Sequence, residues 1–303
     1  MIDVRKLEDL YAAFDDDFVR IYQHYRSPQV KVGIFVQSLI TIAEDKLLAI
    51  SKKIEELDDV ILVVHAAETR EEVEKIRSER GLSPVQLLDH LGLLGPRTVC
   101  VHCVHLDDRD LDLIAERKPG LVLCPVANLK LDDGIPPIRR LIETGAPVAA
   151  GTDGLATNNS ASVLESAKLC ALLGELSPQQ AFDLATTGAA NALGLPFRGR
   201  ISVGADANVA VFKPYPSSVQ PWSASGLLSH LVFNFTGLVL ETLIVQGRKV
   251  IYRGQVTAAD EARLVAQFQA LQAEMEDASG NASERPKHRR GKPHLLRHCQ
   301  PLL

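Results

Sequence analysis

The stretch "VILVVHAAE", residues 60–68, is the segment of this sequence that decides its fold. Five consecutive apolar residues lead to His65, and Glu68 follows after two alanines. A continuous run of Val, Ile and Leu is typical of a strand buried on both faces, as strands of parallel sheets are. The next residues, "TREEVEKI", have the pattern of an amphipathic helix, so the segment predicts one strand followed by one helix.

The same alternation of strand and helix extends from about residue 30 to residue 195. Four further apolar runs predict strands: "VKVGIFV" (30–36), "TVCVHCV" (98–104), "LVLCPVA" (121–127) and "APVAAGTDG" (146–154). Helical patterns separate the runs, at Glu44–Leu57, Arg70–Glu79, Leu106–Glu116 and Ile138–Thr144. Strand, helix and parallel strand in succession form the βαβ unit. These strands predict an α/β domain, built either as part of a barrel or as a doubly wound sheet.

The composition excludes several classes of protein. The chain has 303 residues, 46% of them hydrophobic, which is enough for a sizeable core, and its formal net charge of −5 argues against nucleic-acid binding. No segment approaches the roughly 20 apolar residues that a membrane span requires. The charged amino terminus lacks a secretory-signal pattern, and the 5 irregularly spaced cysteines suit a reducing compartment. We therefore expect a cytoplasmic protein that binds neither nucleic acid nor membranes.

The last third of the chain has a different pattern. "GRISVGADANVAVF" (199–212) and "LETLIVQGRKVIYRGQV" (240–256) predict strands joined by glycine-containing turns. Residues 197–256 are therefore expected to form a small antiparallel unit, and residues 257–277 a charged helix. Residues 278–303 are rich in Pro, Arg and His, and we expect them to form a disordered basic tail.

The segment "VCVHCVHL", residues 99–106, contains two cysteines and two histidines. Because strand side chains alternate between faces, Cys100 and His102 are expected to share one face and Cys103 to lie on the other. The two cysteines would then point apart, which disfavours a chelating or redox cysteine pair. His102 lies near the carboxyl end of the run, where strands of a parallel sheet meet a ligand.

Four polar residues follow or end three of the predicted strands: His65 and Glu68, then His102, then Asp153. The carboxyl ends of parallel strands meet at one edge of a sheet, so these side chains are expected to lie together. Histidine and aspartate can bind a divalent metal such as zinc, and a glutamate beside them can transfer protons. The pattern therefore indicates a metal-dependent catalytic site.

Three of these residues also have a purely structural interpretation. Asp153 could form a turn or cap the following helix, Glu68 could begin the first helical turn, and His102 could be a hydrogen-bonded structural histidine. Asn128, in "VANLKL", could orient a loop near the substrate or simply form a turn.

Several segments together resemble the amidohydrolase superfamily, in the branch of cytosine-, guanine- and S-adenosylhomocysteine-deaminase-like and chlorohydrolase-like enzymes. They are "VHAAETREEVEKI", "VHCVHLDD", "CPVANLKLDDGIPPIRRLIETGAPVAAGTDGLATNNS" and "GADANVAVF". The resemblance implies an α/β fold with a TIM-like (β/α)8 barrel and a small β-sandwich. On that basis, residues 1–196 are expected to form a partial barrel of about strands 4–8, and residues 197–256 a remnant of the sandwich.

The resemblance also implies roles for the four site residues. His65 and Asp153 would ligate a divalent metal, zinc with iron as the alternative. Glu68 would shuttle protons, His102 would polarise the substrate, and Asp153 would accept a proton from bound water. The implied reaction is metal-dependent, deaminase-like hydrolysis of a carbon–nitrogen bond other than a peptide bond. The implied substrate is an amino-heterocycle or a nucleoside-like small molecule.

Three features depart from the family pattern. The family's His-x-His metal ligands on the first strand have no counterpart, since His24 is the only histidine before His65. Phe35 stands where related deaminases have a substrate-contacting histidine, and Leu123 replaces another histidine of the expected pocket.

The missing ligands lead to a second hypothesis. Two protein ligands hold zinc less firmly than the usual three or four, so metal occupancy of this amino-terminally shortened chain is in question. The alternative to an active hydrolase is a catalytically inactive, truncated remnant that serves as an interaction module or as half of a split enzyme. Its partner would then be the missing half, or a second copy in a homo-oligomer.

Overall fold

The computed structural model describes residues 2–3, 11–27, 30–57, 59–221, 223–234, 236, 238–257 and 259–282. A parallel sheet of six strands, hydrogen-bonded in chain order, forms its centre. The strands are β1 (Ile2–Asp3), β2 (Gly33–Val36), β3 (Ile61–Ala66), β4 (Thr98–His102), β5 (Gly120–Leu123) and β6 (Val148–Ala150). The predicted α/β fold with a parallel sheet is confirmed, and β1 is a strand that the sequence pattern did not indicate.

Helices alternate with these strands, and further helices follow β6 in the chain. They are α1 (Tyr11–Tyr25), α2 (Glu44–Glu56), α3 (Arg70–Arg80), α4 (Pro84–His90), α5 (Asp108–Arg117), α6 (Pro125–Leu131), α7 (Ile138–Glu143), α8 (Leu155–Asn158), α9 (Val163–Gly174), α10 (Pro178–Ala185), α11 (Thr187–Ala192), α12 (Leu227–Phe233) and α13 (Glu261–Ala282). A short 3-10 helix spans Pro216–Ser218. No helix in the described part of the chain is long and apolar enough to cross a membrane.

The strand order favours a barrel arrangement over a doubly wound sheet. A doubly wound sheet reverses its strand order at a switch point, whereas here each strand pairs with the next one in sequence. Within the described residues the sheet is open between β1 and β6. The partial (β/α)8 barrel therefore stays a proposal.

Both faces of the sheet are buried, as the apolar runs predicted. Leu62, Val64 and Leu121 belong to the large core cluster that the surrounding helices complete, and we call this side the helix face. Val63 and Val101 belong to a smaller cluster on the opposite side, which we call the inner face.

The alternation predicted for β4 breaks down at its carboxyl end. Cys100 and Cys103 both belong to the helix-face core, so the prediction that they point apart is wrong. The physical reason is the backbone: His102 has φ 76° and Cys103 has φ 52°, and left-handed residues end the extended alternation. Both cysteines are free, buried thiols, and burial raises the pKa of the Cys100 thiol to about 12.

Helix α11 lies against the amino-terminal ends of β5 and β6. A Cβ at Gly120 would come within 2.2 Å of the Ala192 carbonyl oxygen, and one at Gly188 within 2.3 Å of the Val148 carbonyl oxygen. Glycine at these two positions therefore lets helix and strand backbones touch. This packing covers the amino-terminal ends of β5 and β6, at the edge of the sheet opposite the predicted site.

A four-stranded antiparallel sheet follows, with the strands β7 (Val209–Pro214), β8 (Leu238–Val245), β9 (Arg248–Tyr252) and β10 (Gln255–Val256) in the order β10-β9-β8-β7. Its two tight turns carry the positive-φ pairs Gln246–Gly247 and Arg253–Gly254, as two-residue hairpins require. The antiparallel sheet lies within the expected residues 197–256, from Val209 to Val256, and the domain boundaries themselves stay a proposal. Helix α13 extends to Ala282, past the predicted end at 277, and the rest of the expected tail, 283–303, lies outside the described residues.

Candidate metal-binding and catalytic site

The carboxyl-terminal edge of β3–β6, which we call the mouth, carries the predicted site residues. His65 lies at the end of β3 beside Val101, and the next pair in the register joins Ala66 to His102 on β4. His65 alternates with Val64 and therefore points to the inner face. The parallel register thus brings the two histidines side by side.

Three of the predicted residues form one compact group. His65, Glu68 and His102 each offer a ligand atom, and these atoms all lie within 4.8 Å of one another. The centroids of the His65 and His102 rings are 4.7 Å apart, and the two rings are almost perpendicular. Glu68 faces both, with Oε2 at 3.7 Å from His65 Nδ1 and Oε1 at 3.5 Å from His102 Nε2.

Asp153 lies at the same mouth but is not part of this compact group. It follows β6 with φ 57°, and its carboxylate accepts a hydrogen bond from the Thr157 hydroxyl at α8. That contact ties Asp153 to α8, although α8 has no side-chain cap hydrogen bond. Its negative charge nevertheless acts on the site, since it contributes to raising the pKa values of Glu68 and His102. Its role as a metal ligand stays a proposal.

Three strand ends at the mouth carry non-glycine residues in the left-handed region: Ala67 after β3, His102 at the end of β4 and Asp153 after β6. The first two loops are held together by backbone hydrogen bonds, among them Cys103 N to Ala66 O (3.1 Å) and Val104 N to Ala67 O (2.9 Å). Strained backbone of this kind clusters at functional sites. Here it turns His102 out of the strand alternation and into contact with His65.

Burial shifts the pKa values of the two central groups in opposite directions. Desolvation, aided by the nearby carboxylates of Asp133, Glu72 and Asp153, raises the pKa of Glu68 to about 7. Desolvation, aided by the neighbouring His65, lowers the pKa of His102 to about 4. Glu68 can therefore take up and release protons near neutral pH, while His102 is a neutral imidazole.

Two buried side chains, one carboxyl and one amide, form hydrogen bonds to residues of the compact group. Glu72, on the first turn of α3, accepts the backbone N–H of Glu68 at 2.9 Å, and burial raises its pKa to about 7. Asn128, on α6, lies with Nδ2 at 3.0 Å from His102 Nδ1. Thr69 caps α3 by accepting the Glu72 N–H, so Glu68 precedes the helix rather than opening its first turn.

The sequence contained a usable signal for Glu72 but only a weak one for Asp133. Thr69 followed by Glu72 is the spacing of a capping box, which places a carboxylate at the preceding backbone N–H groups. Asp133 is half-buried beside Asn128, and burial raises its pKa. Nothing in "LDDGIPP" separates this aspartate from an ordinary turn residue.

The two substituted pocket positions have different surroundings. Phe35 packs edge-on against His65, with ring centroids 5.1 Å apart, so an apolar ring borders the site where related deaminases have a histidine. Leu123 is fully buried in the helix-face core. The expectation that Leu123 removes a polar group from the pocket is therefore wrong, because its position on the strand faces the helices.

This chain belongs to the amidohydrolase family, whose sequence profile matches residues 7–250. The resemblance found in the sequence is thereby confirmed. The match includes the mouth and every residue of the compact group.

Two curated relatives of this chain are deaminases. The chain is 30% identical over 285 residues to a 5'-deoxyadenosine deaminase of Methanothermobacter thermautotrophicus, covering 91% of this chain and 66% of the relative. It is 35% identical over 214 residues to a 5-methylthioadenosine/S-adenosylhomocysteine deaminase of Pelotomaculum thermopropionicum, covering 68% of this chain and 49% of the relative. The chain thus spans between about half and two thirds of the length of these relatives.

A solved structure has the same fold. The zinc-bound adenosine deaminase of Xanthomonas campestris superimposes with a TM-score of 0.82 at 25% identity, over 89% of this chain and 62% of that one.

The donor set of the site fits a divalent metal of the kind this family implies. Imidazole nitrogens and carboxylate oxygens are the ligands that zinc takes in catalytic sites. His102 Nε2 is buried and, among the described residues, has no hydrogen-bond partner, so it faces the site with an unused polar atom. Buried polar atoms of this kind require a partner such as a metal, a water or a substrate.

Proposed function

We propose that this chain is a hydrolytic deaminase that replaces the exocyclic amino group of an adenosine-like nucleoside with oxygen. The observation that carries the proposal is the compact group of His65, Glu68 and His102, in which desolvation raises the pKa of Glu68 to about 7. Family membership and the deaminase relatives support it. Water and the amine enter the reaction, and the carbonyl product and ammonia leave.

A divalent metal, zinc or alternatively iron, would be held by His65 and Asp153. When bound, such an ion lowers the pKa of water and supplies hydroxide near neutral pH. The donor chemistry of the mouth supports this assignment, and residues outside the described group would have to complete the coordination. Negative charge from Asp153 at the mouth favours a cation there.

Glu68 is proposed as the group that moves protons. Its raised pKa lets it take a proton from the attacking water and pass it to a ring nitrogen or to the leaving amine. The two carboxylate oxygens face His65 and His102, so the proton is held between the proposed metal ligand and the proposed substrate contact. The Glu72 carboxylate fixes the backbone that carries this carboxylate.

His102 is proposed to donate a hydrogen bond to the attacked group. It is fully buried, and its lowered pKa keeps it neutral, so it contributes a dipole rather than a charge. Phe35 packs edge-on against His65 and makes that side of the site apolar. Hydrogen bonds are stronger where the surroundings are less polar than water.

The alternative, a catalytically inactive remnant, is not favoured. The acid–base residue and both histidines of the mouth are retained, and Glu68 has a pKa suited to catalysis. A remnant has no requirement to keep a desolvated carboxylate, which costs stability.

Ammonia release tests this function. The purified chain, supplied with zinc, is assayed against 5'-deoxyadenosine, adenosine and S-adenosylhomocysteine, and metal content is measured in parallel. We expect Glu68→Gln to lower turnover by about 100-fold or more with metal content unchanged, because the lost group moves protons and is not the proposed ligand. Glu71→Gln, an exposed neighbour on α3, is the matched control and should keep full activity.

Absence of both ammonia release and bound zinc in the unsubstituted chain would contradict the proposal. Normal turnover in Glu68→Gln would remove Glu68 from its assigned role.

A further inference from the structure

Asn128 lies between the site histidine and a carboxylate. Its side chain is completely buried, with Nδ2 at 3.0 Å from His102 Nδ1 and at 3.4 Å from Asp133 Oδ2. Its Oδ1 is buried and has no hydrogen-bond partner among the described residues. The amide therefore directs its two N–H groups toward acceptors and leaves its oxygen unpaired.

Asp133 is held in place by its own backbone. Its N–H donates to the Asn128 carbonyl at 2.9 Å, and its carbonyl accepts from His105 Nε2 at 2.8 Å. The carboxylate is therefore positioned by two elements of the mouth, α6 and the loop after β4. This anchoring keeps it beside the Asn128 amide.

The carboxylate determines which way the amide points. An ionised carboxylate can only accept hydrogen bonds, so the Asn128 group nearest to it must be the NH₂. The reversed amide would bring two acceptor oxygens together. The same NH₂ also reaches His102 Nδ1, which must then be the acceptor nitrogen of a neutral ring.

We propose that Asp133 and Asn128 are positioning residues that fix the single proton of His102 on Nε2, so that this nitrogen faces the site as a hydrogen-bond donor and not as a metal ligand. Nε2 is the buried atom without a partner, and Glu68 Oε1 lies 3.5 Å from it. The use of this proton on a substrate rests on the proposed function, whereas the position of the proton does not. The metal would then be held without His102, although His102 belongs to the compact group.

Nitrogen-15 NMR of the metal-free chain, labelled at histidine, tests the assignment. The His102 signals are identified by their loss in His102→Gln. At neutral pH we expect a protonated-type signal for Nε2 and an unprotonated-type signal, far downfield, for Nδ1. In Asn128→Asp the new carboxylate accepts from Nδ1, and we expect the proton to move there and Nε2 to become the unprotonated nitrogen.

Two aspartate variants provide the matched comparison. Asp133→Asn removes the group that orients the amide, so both tautomers should become populated. Asp132→Asn changes the exposed neighbouring carboxylate and should leave the wild-type pattern. A wild-type proton on Nδ1, or an unchanged pattern in a folded Asn128→Asp variant, would overturn the proposal.

This result is separable from deaminase activity. A proton on Nε2 in a chain that releases no ammonia would refute the proposed function and leave the tautomer assignment standing. A proton on Nδ1 in a chain that releases ammonia would refute the tautomer assignment and leave the proposed function standing.

Discussion

At the scale of single residues, one physical cause acts on the site in two directions. Desolvation disfavours whichever form of a group is charged, so it raises the pKa of Glu68 and lowers that of His102. Glu68 can therefore exchange a proton near neutral pH, whereas His102 stays a neutral imidazole. Pairs of groups whose environments separate their pKa values in this way mark acid–base assignments.

Glu72 should make the stability of the fold depend on pH. Its pKa rises from an ordinary 4.5 to about 7 because it is buried, so the folded state holds its proton more tightly than the unfolded state. Stability from this group is therefore complete below about pH 4.5 and is lost as the pH rises through 7. A shift of this size corresponds to at most about 3 kcal/mol.

The expected outcome is a free energy of unfolding that falls between about pH 5 and pH 8, with a smaller fall in Glu72→Gln. Urea denaturation at both pH values measures it. Glu74→Gln, on the exposed side of α3, should keep the wild-type slope. An identical slope in Glu72→Gln would show that this carboxyl does not hold its proton in the folded state.

At the scale of elements, the site depends on how strands end and on how helices approach them. The mouth is formed by left-handed residues after β3, β4 and β6, and the opposite side is closed by the direct contact of α11 with β5 and β6. Gly188 permits that contact. In a helix, glycine is less stable than alanine by about 1 kcal/mol.

Gly188→Ala should therefore destabilise the fold despite the better helix former. The added Cβ would meet the Val148 carbonyl at 2.3 Å and the Asp183 carbonyl at 2.8 Å, and backbone cannot move as a side-chain tip can. We expect a loss of about 2 kcal/mol or more, because overpacking outweighs propensity. Urea denaturation measures the loss, with Gly95→Ala as control, since a Cβ there meets nothing within 4 Å. Equal stability of the two variants would mean that α11 can shift freely.

At the scale of the whole molecule, the chain spans between 49% and 66% of the length of the relatives described above, and its parallel sheet is open in the described residues. The compact group of His65, Glu68 and His102 is nevertheless formed within two adjacent strands and the loop after the first. Whether the strand ends at the mouth act together as one site can be measured by metal binding.

Zinc should stabilise the folded chain through His65. A ligand that binds only the folded state adds about 2.7 kcal/mol at about 100 times its Kd. We expect the unfolding temperature of the wild type to rise on zinc addition and to fall back with a chelator, and His65→Ala to lose most of the rise. His24→Ala, an exposed histidine on α1, should behave as wild type. Equal shifts in both variants would place the metal elsewhere.

The sequence predicted more of the fold than of the site. Strands β2 to β6 each lie within or overlap a predicted apolar run, because burial on both faces of a parallel sheet requires continuous apolar residues. It did not predict β1, which is only two residues long, or the turn of His102 out of its strand. His102 turns out of its strand because His102 and Cys103 have positive φ angles. The residue types at these two positions do not predict that conformation.

The sequence by itself determined the alternation of strand and helix, and with it the fact that His65, Glu68, His102 and Asp153 stand at strand ends. Those features follow from local periodicity, which each short segment carries alone. Only the tertiary structure decided that Glu68 is desolvated, that Glu72 supports its backbone and that Asn128 links His102 to Asp133. These properties arise from groups that meet across the mouth, and desolvation and hydrogen-bond direction depend on that meeting.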